Sequence, residues 1–200
     1  MPGVAARGRR GEVEMDIEWT VQLIDQLDWH WTNQLRPRLA GLGDDEYFWE
    51  PAPGCWNVRP REESTAPMAA GTGEFVLDFA YPEPVPPPVT TIAWRMAHIA
   101  VGVLGMRIAA HFGGPPVSWD SFPYAGTAEA ALRQLDTAYA GWLEGVRGLG
   151  ERGLMTACGP AEGAFGAHPM AALVLHINRE AIHHGAEIAL LRDLYLRRAG

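Results

Sequence analysis

The sequence predicts an all-α protein, a four-helix bundle with a long irregular loop between the first and second helices. Three observations lead there. Four stretches of roughly 20 to 30 residues repeat their apolar side chains at the helical period. Glycine and proline break up the segments between them. Only one short stretch, "EFVLDFAY", reads as a strand in a chain of 200 residues, so no sheet is expected to carry the core.

The first helix is expected from about Asp16 to Ala40. Trp19, Leu23, Leu27, His30 and Gln34 form one stripe, with Ile24, Trp31 and Leu35 beside it. Pro37 distorts the last turn. Residues 44 to 88 follow as irregular structure. A connection this long without elements of its own belongs to a lid or binding loop. Its aromatic content (Tyr47, Phe48, Trp49, Trp56, Phe75, Phe79, Tyr81) predicts that it packs down on the domain.

Thr90 or Thr91 caps the second helix, which ends before "GGPP" at 113 to 116. The third starts after Thr127, with Glu129 favourable in its first turn. Its stripe of Ala131, Leu135, Ala138, Trp142, Val146 and Leu149 is the clearest core face in the chain. "CGPAEGAFGAHP" separates it from a fourth helix running from near Pro169 to about Arg198. "GLGERG" at 148 to 153 matches the glycine pattern of dinucleotide-binding loops, but it follows a helix and opens no βαβ unit. It reads as a helix stop.

Hydrophobic residues make up 48% and charged residues 20%, the balance of a globular domain. A net charge of -8 speaks against nucleic-acid binding and against docking on an anionic membrane. Cys55 and Cys158 make no disulfide framework, and Cys55 in "GCWNVR" reads as a packed loop residue rather than a nucleophile. No apolar run is read as reaching the roughly 18 residues of a membrane span. "MPGVAARGRRGEVE" lacks the apolar stretch of a signal peptide. The expectation is therefore a flexible leader over 1–14, a single domain over 15–200 and a cytoplasmic location. Leu175, Ile182 and Leu190, on the far side of the fourth helix, suggest a second buried surface and hence a homodimer.

The fourth helix raises the functional question. At ~100° per residue, Leu173, Ile177, Ile188, Leu191 and Tyr195 gather in one arc. His184 lies inside that arc and Glu180 just outside it, with Glu187 and His176 a little further round. A carboxylate removed from water must be paired, protonated or bound to a metal. Glu180 and His184 stand about 6 Å apart at Cβ, and one divalent ion with bonds of roughly 2.0–2.2 Å reaches both.

A third ligand must come from another helix. His98, in "AWRMAHIAVG", sits mid-helix, and Gly102 and Gly105 leave room for a facing group. Two histidines and a carboxylate make an open, catalytic site rather than a closed structural one. The same spacing also allows a buried ion pair of Glu180 and His184 bridged to Arg95. Taken alone, His30 reads as a hydrogen-bonded core histidine, His183 as a rim residue, and His111 and His168 as exposed residues at helix ends. The carboxylate-histidine pairs of di-iron bundles, the zincin motif, a Walker loop and the nucleophile elbow are absent from the sequence.

Three stretches resemble a known family: "PGCWNVR" in the first loop, "TTIAWRMAHI" opening the second helix, and "LHINREAIHHGAEIALLRDL" on the last. They resemble the DinB-like (YfiT-like) metal-dependent four-helix bundles, most closely the actinobacterial branch that includes mycothiol-dependent maleylpyruvate isomerase. With the helix pattern, the likeness covers most of residues 16 to 198. It implies a metal held by His98, Glu180 and His184, the three positions the helical wheel also selects. The turn after the last ligand reads "HHGAE", where many relatives read H-G-Q or G-H.

The resemblance implies a divalent-metal-dependent enzyme acting on a small-molecule substrate. The leading reading is a thiol (mycothiol)-dependent S-transferase or isomerase, in which the metal activates a low-molecular-weight thiol. The 44–88 loop would shape the electrophile pocket, with Arg59 or Arg95 open to an anionic group. The alternatives are a hydrolase using metal-bound water, with Glu187 or His30 handling the proton, and a non-catalytic metal-binding or stress-related bundle. Zinc suits the ligand set, and nickel, iron and manganese fit it as well.

Overall fold

The computed structural model describes residues 17–198; the leader expected over 1–14 lies outside them. The chain is predominantly helical. Helix α1 comprises Trp19–His30, a π-helical turn at Trp31–Leu35 and a last turn at Arg36–Arg38. Its core face is Leu23, Leu27, Trp31, Leu35 and Leu39, all buried. Side chains four apart drift by ~40° per step on a straight α-helix. The π turn takes up that drift, because it spends more residues per turn. Trp19, expected in the stripe, is exposed.

The 44–88 segment is more ordered than expected. It holds a short helix α2 (Asp44–Tyr47) and three strands, β1 (Val58–Pro60), β2 (Met68–Ala70) and β3 (Phe75–Phe79). The strands form an antiparallel sheet in the order β1-β3-β2. This corrects the all-α expectation: only β3 lies inside "EFVLDFAY". Val58 and Ala70 both pair with Leu77, and all three are buried, so one face of the sheet closes on the helices.

Helix α3 runs through Ile92–His98, a π-helical stretch at Ile99–Gly105 and Met106–His111. The Thr91 side chain caps it by accepting from Trp94 N at 3.2 Å. Contrary to the sequence reading, Ile92–His111 is long and apolar enough to cross a membrane by length and composition. Its burial has another cause here, for it packs against the sheet, α4 and α5.

Helix α4 spans Ala128–Leu154 and α5 Met170–Arg197. Thr127 caps α4 through Ala130 N at 3.2 Å, and Asp44 accepts from Ala128 N at 2.7 Å. The "GLGERG" stretch does not stop α4. It kinks the helix at Gly150, where φ is 57°, a conformation glycine adopts at little cost. Both α4 and α5 pack against α1 and α3. Asn178 of α5 donates to Leu23 O at 2.7 Å and accepts from Trp142 Nε1 at 3.4 Å, joining three helices through one buried amide. Ile182 is half-buried against the core, whereas Leu175 and Leu190 are exposed.

Candidate metal centre

The second-helix histidine is positioned by a chain of buried hydrogen bonds that begins in the first loop. Asn57 Oδ1 accepts from Thr91 Oγ1 at 2.7 Å, while Asn57 Nδ2 donates to Phe48 O at 3.0 Å. Trp56 and Thr91 join the same strap through backbone bonds of 3.0 Å (Trp56 N to Val89 O) and 3.1 Å (Thr91 N to Trp56 O). Thr91 in turn fixes the start of α3, two turns before His98. Trp94 Nε1 donates to Asp78 O at 2.8 Å, tying the helix to β3. The helix that carries His98 is thus pinned to the sheet at its first turn.

His98 sits between two indoles. Its ring stacks on Trp94 at 5.2 Å and on Trp119 at 5.7 Å between centroids. It makes a T-shaped contact with the His184 ring, 4.6 Å between centroids. Burial pushes the His98 imidazole down to about 4, helped by His184, Arg95 and Arg107 and opposed by Glu180. It is therefore neutral at pH 7, the form a metal requires.

His184 is buried, and its two nitrogens face different partners. Nδ1 lies 2.7 Å from Glu187 Oε2 and 3.4 Å from the Arg95 guanidinium. Arg95 Nε also donates to Glu187 Oε2, at 3.0 Å. A carboxylate at 2.7 Å needs a donor, so the proton belongs on Nδ1. The other nitrogen, Nε2, faces Glu180 Oε2 at 3.8 Å. Two metal–ligand bonds of roughly 2.0–2.2 Å span such a gap.

A second group shares His184. Ligand atoms of His183, His184 and Glu187 all lie within 4.8 Å of one another, and that cluster could bind a metal ion. Neither His98 nor Glu180 belongs to it. Of the two His184 nitrogens, Nδ1 faces Glu187 at 2.7 Å and Nε2 faces Glu180 at 3.8 Å.

The remaining sequence candidates are placed as follows. Arg59 spends its guanidinium on Glu50 at 2.6 Å and Asp78 at 2.7 Å, so the anionic group considered for it finds the side chain occupied. Arg95 is committed to Glu187 and lies 5.2 Å over the Trp94 ring. His30 bonds Gln34 Oε1 through Nδ1 at 2.9 Å; its Nε2 is buried without a hydrogen-bond partner. It packs against α5 at Gly185, where a Cβ would lie 3.4 Å from that nitrogen. His111 was expected to be exposed; instead its ring is buried and bonded to Glu162 at 2.9 Å. His168 and His183 are exposed. Cys55 is buried and free, and burial pushes its thiol up.

Beside His98, on the sheet side, a cavity of about 240 Å³ lies between β3, Trp56 and Trp94, with Trp119 closing it. Sequence reasoning had not singled out Trp94, Trp119 or Asp78. The stretches "GCWNVR", "EFVLDFAY" and "TTIAWRMAHI" are the signals that run through this region.

A family model described as the DinB superfamily matches residues 26–188. The match includes both groups of candidate ligands. No curated protein and no solved structure matches the chain.

Proposed function

The chain belongs to the DinB superfamily, and from that premise we propose that it is a divalent-metal-dependent enzyme whose ion is held by His98, Glu180 and His184. Its four long helices are read as the family's four-helix bundle, with the small sheet as a lid over one end. The observation that carries this reading is the 2.7 Å contact of His184 Nδ1 with Glu187 Oε2, which assigns the imidazole proton to Nδ1. Nδ1 donates to Glu187, which leaves Nε2 on the side of Glu180, with the His98 ring 4.6 Å away between centroids. Carboxylate–histidine pairs of this kind fix the ring of a metal ligand and raise its basicity.

Binding at His183, His184 and Glu187 would require giving up that hydrogen bond. It would also place a second cation beside the Arg95 guanidinium, which already contacts Glu187 and His184 at 3.0 Å and 3.4 Å. His183 has a side chain 62% exposed. In the inward set, Arg179 and His176 hold Glu180 through Oε1 at 3.2 Å and 3.5 Å, and Oε2 stays on the His184 side. Two imidazoles and one carboxylate suit zinc, and nickel, iron or manganese fit the same donors.

For the reaction we propose transfer or isomerisation dependent on a low-molecular-weight thiol such as mycothiol. A divalent ion in this site lowers the pKa of a bound thiol, so that thiolate is available at neutral pH. The chain's own residues then hold and shield the reactants. His98 and its flanking indoles wall off water on one side, while Glu187 and Arg95 keep the His184 ring in place. A hydrolase would ask Glu187 or His30 to carry a proton. Glu187 is already engaged by His184 and Arg95, which disfavours it as that carrier and supports the thiol reading. Exposed Leu175, Leu190 and Leu194 on α5 support a homodimer.

The test is titration of cobalt-substituted protein with mycothiol and simpler thiols. New thiolate-to-cobalt absorption at neutral pH is expected. An unchanged spectrum at saturating thiol would remove the thiol from the proposal while leaving the metal site standing.

A further inference from the structure

The cavity beside His98 has a distinct chemical character. Its walls include Trp56, Trp94, Trp119, Phe79, Leu77 and His98. Glu83, exposed, is the charged side chain among the lining residues, and the imidazole is neutral at pH 7.

The indoles are fixed before any ligand arrives. Trp94 is held by its bond to Asp78 O at 2.8 Å, and Trp56 by the backbone strap to Val89 and Thr91. The Trp119 carbonyl accepts from Tyr124 Oη at 2.9 Å. Its ring lies against Gly102, where a Cβ would meet Trp119 Cη2 and Cζ2 at 2.4 Å. Glycine at 102, one turn past His98, is what admits the third indole. A rigid, preformed aromatic box spares a ligand the cost of ordering its walls.

We propose that this cavity binds an uncharged, flat hydrophobic ring and presents its substituents to His98. The inference rests on the proposed function for the reaction that follows, but not for the binding. Size agrees: a dry cavity of roughly 150 Å³ holds benzene, and this one, at about 240 Å³, has room for a substituted ring. A carboxylate would lose its hydration here and meet Glu83, with no cation in the lining to replace the water. A quaternary ammonium would be drawn to the indoles. However, Arg95, outside the cavity, already sits 5.2 Å from the Trp94 ring and opposes a second cation. The substrate of the thiol chemistry is thus an aromatic electrophile whose ring end carries no charge.

Three probes of similar shape test this on chelator-treated protein: benzyl alcohol, benzoate and benzyltrimethylammonium, followed by calorimetry and tryptophan fluorescence. Benzyl alcohol is expected to bind at least roughly tenfold more tightly than either ion. Trp119→Ala and Gly102→Ala should each weaken it by roughly tenfold or more. Circular dichroism confirms that each variant is folded. Tightest binding by either charged probe would overturn the proposal. So would wild-type affinity for benzyl alcohol in both folded variants. Because no metal is present, failure here leaves the metal reading untouched, and loss of metal binding leaves the cavity untouched.

Discussion

His184 and Glu187, one turn apart on α5, meet at 2.7 Å between Nδ1 and Oε2, and this contact decides which imidazole nitrogen is free. On the proposed function, Glu187 is thereby a positioning residue for one of the three ligands. Glu187→Gln keeps the size of the side chain but removes the charge that holds the Nδ1 proton and pairs with Arg95. Its divalent-metal affinity should fall by roughly 10- to 100-fold, the usual effect of losing such a partner. The number of ions bound at saturation should not change. Calorimetric titration with zinc measures both quantities, and an unaltered affinity would show that this carboxylate does not orient the ring.

Asn57 joins the first loop to α3 through Thr91 Oγ1 and to the end of α2 through Phe48 O. Replacing it with alanine leaves a buried hydroxyl and a part-buried carbonyl without these partners. A loss of ~1–3 kcal/mol is expected in urea denaturation. The near-UV circular dichroism of the tryptophan cluster should change with it, since Thr91 caps the helix that carries Trp94.

Stability at alkaline pH should depend on Tyr47. Burial raises its phenol well above the ordinary value, and Asp44 adds to the shift. A raised folded pKa means that the folded state keeps a proton the unfolded chain has released. Stability is therefore fully present below about pH 10, the unfolded value, and declines as pH rises above it. Tyr124 and Tyr139 are raised as well and act in the same direction. Midpoints of urea unfolding at pH 9 and pH 11 should differ less in Tyr47→Phe than in the wild type.

Local chemistry was legible in the sequence wherever it acts over a few residues. Thr91 and Thr127 cap the helices expected to follow them, and the stripe from Ala131 to Val146 faces the core as its spacing requires. Glu180 and His184 could be paired because one turn of helix separates them. Features set by distant partners were not legible. Strands of three residues, such as β1 and β2, have too little length to show a period. The two π-helical stretches have no residue pattern of their own. His111 is buried because Glu162, fifty-one residues on, bonds it, and Trp119 reaches His98 because Gly102 leaves room for it. Arg59 looked free for an anion until β3 brought Asp78 alongside.

The central claim is that the ion sits inward, between α3 and α5. Metal content after equilibration with zinc and gel filtration tests it most directly, in the wild type and in His98→Ala, Glu180→Ala and His183→Ala. The account predicts about one ion per chain in the wild type and in His183→Ala, with metal lost from the other two, because an open site of three protein ligands tolerates no missing donor. Retention of metal by His98→Ala together with its loss from His183→Ala would contradict it and place the ion on the outer face of α5.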